Sequence, residues 1–227
     1  AEPPAAALQG KFPADCWHLC ISVEGTSEVC DRASREFTRI AALPEAGHSQ
    51  LSTLNETEGA DLWHYLGQSI PLLLEASPDS AIFKITVLPS RLSPLLEQLR
   101  ALAEQASLRH ALLARACGVI YLALLPRSGQ SLDSDSFRRL ASAASAVFSL
   151  CAAENASATL PWCPTQLKRE VNVWGFAFVA PASGRPVSPS AVSDANAATA
   201  LPDLALMRRL KSAFDPQNLF APGRLLP

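Results

Sequence analysis

Apolar and polar residues alternate from Cys16 to Glu24, with Trp17, Leu19, Ile21 and Val23 on one side and His18, Cys20, Ser22 and Glu24 on the other. A period of two predicts a strand. Gly25 then leads to a helix capped by Thr26 or Ser27, in which Val29, Ala33, Phe37 and Ile40 keep helical spacing. A second strand is expected near Ser49–Leu54. A short helix carrying Leu62, Trp63, Leu66 and Ile70 follows and is expected to end at Pro71. Ala81–Leu88 alternates again, with Phe83, Ile85 and Val87 opposite Ile82, Lys84, Thr86 and Leu88. Ser93 caps the next helix in this reading, Pro94 takes its first position, and Leu95, Leu96, Leu99, Leu102 and Ala103 form its stripe. Leu108–Ala114 and Cys117–Leu125 read as adjacent strands. Asp133 or Ser134 starts an amphipathic helix with Phe137, Leu140, Ala144, Val147, Phe148 and Cys151 on one face, and a strand near Ser157–Trp162 closes the unit.

The later part of this order, strand-helix-strand-strand-helix-strand, predicts an α+β fold: a ferredoxin-like (split βαβ) antiparallel sheet with helices on one face. The other face is left for solvent or a partner. Lys168–Phe178 is expected to add a strand through Val171-Asn172-Val173-Trp174-Gly175. Residues 181–202 are rich in Ala, Ser, Pro, Asn and Gly without periodicity and are expected to form a flexible loop. Residues 203–227 are expected to form a helix from Leu204 to Phe214, stopped at Asp215-Pro216, and a tail that packs back through Leu219, Phe220, Leu225 and Leu226. The domain reading is thus a linker over 1–15, an α+β domain over 16–180, the loop, and a closing helix and tail of the same domain.

Composition changes this picture little. The 227 residues are 48% hydrophobic and 18% charged, with a net charge of −2, and basic residues are scattered. No nucleic-acid partner is implied. No apolar run approaches the roughly 20 residues of a membrane helix. The six cysteines form no CxxC and have no histidine at zinc-like spacing, so they read as reduced structural thiols with no metal, and the compartment as cytoplasmic. Asn55-Glu56-Thr57 and Asn155-Ala156-Ser157 match the glycosylation sequon, a pattern short enough to arise by chance. His48, His64 and His110 have no partner at catalytic spacing, and no catalytic residue is assigned.

The most specific segment is the end, with Lys211-Ser212-Ala213-Phe214-Asp215-Pro216 followed by Asn218 and by Ala221-Pro222-Gly223-Arg224. It resembles the closing signature of FAD-linked oxidases of the vanillyl-alcohol-oxidase type, except that Ala221 stands where those proteins usually have asparagine. Leu19–Gly25, Phe83-Lys84-Ile85-Thr86-Val87 (lysine in place of arginine) and Arg169–Gly175 resemble one subgroup, the accessory FAD-binding subunit of bacterial glycolate oxidase. The resemblance implies the C-terminal cap or substrate domain of an FAD-dependent 2-hydroxy-acid oxidase. That domain covers the flavin and supports oxidation of glycolate to glyoxylate.

Neither an H-x-G-D-G-N run nor a glycine-rich pyrophosphate segment occurs. The resemblance therefore implies an FAD bound mainly by an N-terminal flavin domain absent from this chain, with residues 1–15 as the linker to it. It further implies a catalytic flavoprotein subunit, an iron–sulfur subunit and a small 2-hydroxy acid as partners. The location implied is cytoplasmic, or peripheral at the inner face of the membrane through those subunits. Lys84 and Thr86, on the open sheet face together with His18 and Ser22, are the candidates for substrate binding, and Arg224 is the candidate for the flavin. The bland readings are a solvated strand lysine and a surface arginine. The alternative function is a stand-alone ferredoxin-like binding or assembly module without catalysis.

Overall fold

A computed structural model describes Phe12 and residues 16–47, 49–126, 133–175 and 202–220. The chain divides into two compact units, Ala1–Ala76 and Ser77–Pro227.

The first unit is helical. Helix α1 spans Ser27–Ala41, α2 Glu56–Gly67 and α3 Ser69–Ala76. A reciprocal capping box starts α2: Asn55 Oδ1 accepts from the Glu58 amide at 3.0 Å, and Glu58 Oε2 accepts from the Asn55 amide at 3.1 Å. Pro71 does not end a helix here. It falls in the first turn of α3, where no amide donor is needed, and the break comes earlier, at Gln68. None of the three helices buries a residue.

Two expected strands are absent from this unit. Neither 16–24 nor 49–54 joins a ladder among the described residues. Trp17, Leu19, Ile21 and Val23 are exposed, Leu19 at 85%. Alternation specifies an extended, two-faced segment, but a strand also requires an edge to pair with, and period alone cannot supply one. His18 and Ser22 consequently belong to no sheet face.

The second unit carries the sheet. Strand β1 is Ala81–Thr86, β2 Arg109–Arg115, β3 Val119–Leu125 and β4 Ser157–Trp162. Helices α4 (Leu92–Gln105) and α5 (Ser134–Ala153) make the two crossovers. Strand order is β2-β3-β1-β4 with every pair antiparallel, which is the split βαβ arrangement the alternation predicted. Helix α4 begins at Leu92, after a 3₁₀ turn at Pro89–Arg91, so Ser93 is not its cap and Pro94 lies inside the first turn. Asp133 caps α5, accepting from the Ser136 amide at 2.6 Å.

The core lies between one sheet face and the two helices. Phe83 and Ile85 of β1 and Ile120, Leu122 and Leu124 of β3 meet Leu95, Leu99 and Ala103 of α4. On the other side they meet Leu140, Val147, Phe148 and Cys151 of α5. Phe83 and Phe148 pack edge to face, with centroids 5.3 Å apart. Each fully buried side chain of this size contributes about 1.5–3 kcal/mol.

The segment expected to be a strand from Lys168 is instead the short helix α6 (Leu167–Glu170) followed by a turn to Gly175. Leu167 and Val171 are buried one turn apart, so a helical contact overrode the short alternation. Val173 still touches the sheet, its carbonyl accepting from the Leu160 amide at 2.7 Å. Helix α7 runs from Pro202 to Phe214 and stops before Asp215-Pro216. Past Pro216 the backbone turns back, but the expected apolar packing does not occur at Leu219 and Phe220, which are exposed. The expected loop up to residue 201, together with Leu225 and Leu226, lies outside the described residues.

Candidate functional site

Strand β1 has its core-facing residues buried while Lys84 and Thr86 are exposed on the opposite face. Register decides their company. Lys84 stands opposite Tyr121 on β3 and opposite Thr159 on β4, whose Oγ1 donates to the Lys84 carbonyl at 3.4 Å. Thr86 stands opposite Val119 and Ser157. Tyr121 in turn lies beneath Arg115, whose guanidinium carbon is 5.9 Å from the ring centroid. A guanidinium in this position is attracted by the negative face of the ring.

The two ends of this face differ. Ile82 and Ala123 face one another across the ladder and are buried, as is Leu125. From Lys84 onward the face becomes polar. None of the four strands contains an aspartate or glutamate, whereas Lys84, Arg109 and Arg115 all belong to this face. The result is a cationic, hydroxyl-bearing surface on the side away from α4 and α5.

At the chain's other end, the buried Asp215 accepts from the Leu219 amide at 2.7 Å, from the Phe220 amide at 2.9 Å and from Lys211 Nζ. Lys211 also donates to the Phe220 carbonyl. The Lys211 ammonium, helped by the two amides, holds the Asp215 carboxyl below its usual range. This clasp fixes the direction in which the chain leaves α7. Arg224, the candidate flavin contact, lies outside the described residues, so the clasp is the part of the closing signature whose geometry is visible.

The remaining candidates do not converge on chemistry. His18 stacks edge to face on Phe12, and its Nε2 lies 3.6 Å from Cys16 Sγ. All six cysteines are free. Burial pushes the Cys151 thiol up to about 12 and raises those of Cys163 and Cys20, which disfavours the thiolate needed for nucleophilic or redox work. Among the described residues no group of three or more His, Cys, Asp or Glu is placed to hold a metal, and no helix is long and apolar enough to cross a membrane. Sequence reasoning singled out Lys84 and Thr86 as candidates but not their neighbours Tyr121, Thr159 and Arg115. Alternation gives the face of each residue within its own strand. Only the register among the four strands places Tyr121 and Thr159 opposite Lys84 and Arg115 over Tyr121.

A split βαβ domain with one helix-covered face and one cationic face is a shape suited to lying over something else. Residues 5–122 and 199–225 match the model described as FAD linked oxidases, C-terminal domain, and the chain belongs to that family. The first match runs through the helical unit to β3, and the second takes in α7 and its clasp. A comparison with curated proteins gave no match.

The described residues suit one part of an FAD and not another. A face bearing cations and hydroxyls without carboxylates suits an electron-rich ring or a substrate anion. Among the described residues the glycines form no phosphate cradle. A Cβ on Gly118 would collide with the Val87 carbonyl oxygen, and one on Gly175 would collide with the Ala158 carbonyl oxygen and lie 2.8 Å from Phe148. These backbones are closed off by the chain's own atoms, so no ligand phosphate can approach them there.

Proposed function

We propose that this chain is the cap of an FAD-dependent 2-hydroxy-acid oxidase, and that the Lys84 face of its sheet lies over the flavin. The supporting observation is the asymmetry of the sheet: apolar and helix-covered on one side, and on the other bearing lysine, arginine and hydroxyl residues, with no carboxylate among the strand residues. Bound flavin supplies a two-electron acceptor for the hydroxyl-bearing carbon. The chain's own contribution is to orient and to exclude water. Lys84 holds the substrate carboxylate, Thr86 offers a hydroxyl one pleat away, and the buried Ile82 and Ala123 close one side.

On this reading Arg224 contacts the flavin or the domain that holds it. Glycolate is the substrate, glyoxylate the product. The partners are an N-terminal flavin domain, a catalytic flavoprotein subunit and an iron–sulfur subunit, in the cytoplasm or against the inner face of the membrane. The test is to reconstitute the chain with a flavin-binding domain of the same family and follow glycolate-dependent bleaching of the flavin. Lys84→Ala should raise the glycolate KM at least severalfold, because a lysine–carboxylate contact removed from bulk water is charge-assisted. Turnover with an unchanged KM would remove Lys84 from the site, and failure of the chain to support any bleaching would sink the cap reading.

A further inference from the structure

Lys84 is not the only cation on this face whose neighbour is Tyr121. Residues directly opposite on one face of an antiparallel pair have Cβ atoms about 5 Å apart, and Tyr121 holds that relation to Lys84. Arg115 leans over the same ring from β2, on the far side of Tyr121 from Lys84. The ring thus brings a second positive charge toward the strand that carries the first. Among the described residues neither cation is paired with a carboxylate. A small anion lying over the Tyr121 edge would be attracted by both charges. The buried Ile82 and Ala123 beside Lys84 keep water from one side and strengthen the attraction.

We propose that Arg115, aimed by the ring of Tyr121, is a second carboxylate-binding residue beside Lys84, and that Tyr121 is the positioning residue for both. The planar guanidinium grips a carboxylate at two points, whereas lysine acts as a compact charge. The pair therefore fixes the orientation of a small carboxylate as well as its position. The assignment rests on the cap reading for its biological meaning, but anion binding at this face is measurable on the chain alone.

The experiment is a titration of the ¹⁵N-labelled chain with glycolate and, separately, with glycolamide, its uncharged counterpart, at constant ionic strength. Glycolate is expected to shift the amides around Lys84, Arg115 and Tyr121, and glycolamide to leave them in place. Arg115→Gln should lower the initial slope of those shifts roughly two- to fivefold, the range for a partly exposed charge pair. Tyr121→Phe keeps the ring that holds Arg115 and should titrate close to the unmodified chain, whereas Tyr121→Leu should lose as much as Arg115→Gln. Unchanged amides far from β2 and β3 confirm that each variant is folded. Equal responses to glycolate and glycolamide, no shift on this face, or an Arg115→Gln slope matching the unmodified chain would each overturn the proposal. The reconstitution experiment reads the cap function separately, so a chain that supports flavin bleaching yet fails this titration loses the Arg115 assignment alone.

Discussion

The amide of Val87 donates to the carbonyl of Gly118 at 2.9 Å, which locks the end of β1 against the turn between β2 and β3. Gly118 has φ +90°, and a Cβ there would run into the Val87 carbonyl oxygen. Both features exclude side chains, and the obstructing atom is backbone, which cannot swing aside. Gly118→Ala is therefore expected to destabilise the chain by about 3 kcal/mol or more, in the range of backbone strain combined with a steric clash. Gly47, with φ +60° and nothing within 4 Å of a would-be Cβ, is the control. Its backbone (ψ −142°) is also disfavoured for side-chain-bearing residues but nothing obstructs a Cβ, so its alanine variant should cost less than Gly118→Ala, about 1–3 kcal/mol. Urea midpoints for the two variants check the difference, and equal midpoints would contradict it.

The two faces of β1 should separate cleanly under mutation. Phe83 is fully buried against Phe148, and Phe83→Ala should cost about 3–5 kcal/mol. Its neighbour Lys84 is exposed, and Lys84→Ala should stay within about 0.5 kcal/mol while affecting ligand response. Chemical denaturation of the pair reads this directly. A large loss at Lys84 would mean that it supports the fold.

How much of this was legible in the sequence depended on where the partner of each element lies. In the second unit the alternation of the four paired strands was matched by an adjacent strand and an amphipathic helix, so period and order agreed on one topology, while the cap expected at Ser93 did not form. Residues 16–24 carry as clear an alternation as β1 yet join no ladder among the described residues. At Leu167–Val171 one turn of helix buried Val171, which an alternating reading put in a strand, together with Leu167 just before it. The candidate face was half legible for a related reason. Lys84 is visible as a charge amid an apolar strand, but Tyr121 and Arg115 are ordinary residues until pairing places them around it. Asp215 read as a helix stop, and its role as an acceptor for two amides and a lysine depends on a turn that passes through Asn218 at φ +52°.

That clasp should be sensitive to acid. The folded-state pKa of Asp215 is depressed, so its contribution is fully present above the ordinary aspartate value near 3.9 and is lost as pH falls through the lower folded value. The amide shifts of Leu219 and Phe220 should titrate together, with a midpoint below that of an unperturbed aspartate. Asp215→Asn should abolish this titration and move both amides toward exposed positions at neutral pH. A midpoint at or above the ordinary value would show that Lys211 does not hold the carboxylate.

Thiol reactivity should follow burial. Cys16 and Cys117 are exposed, whereas Cys151 is buried in the core with its thiol pushed up to about 12. At pH 8 a thiol-specific reagent should modify Cys16 and Cys117 quickly and leave Cys151 untouched until the chain is denatured. Mass mapping of the labelled sites checks this. Fast labelling of Cys151 in the folded chain would mean that α5 opens readily from the sheet.

The purified chain is expected to be colourless and inactive toward glycolate or lactate. High flavin affinity requires a grip on the pyrophosphate, commonly from glycine-rich backbone turns and helix N-termini. Among the described residues the glycines of positive φ (Gly25, Gly47, Gly118 and Gly175) are scattered along the sequence. Two of them are sealed by the chain's own carbonyl groups. What remains is the cationic face around Lys84, which can touch a ring system or a carboxylate but offers few contacts. A few such contacts cannot offset the loss of translational and rotational freedom on capturing a free cofactor. The absorption spectrum of the purified chain, before and after incubation with FAD and desalting, decides the matter. A stoichiometric flavin band would place a complete flavin site within these residues and would overturn the assignment of this chain as a cap alone.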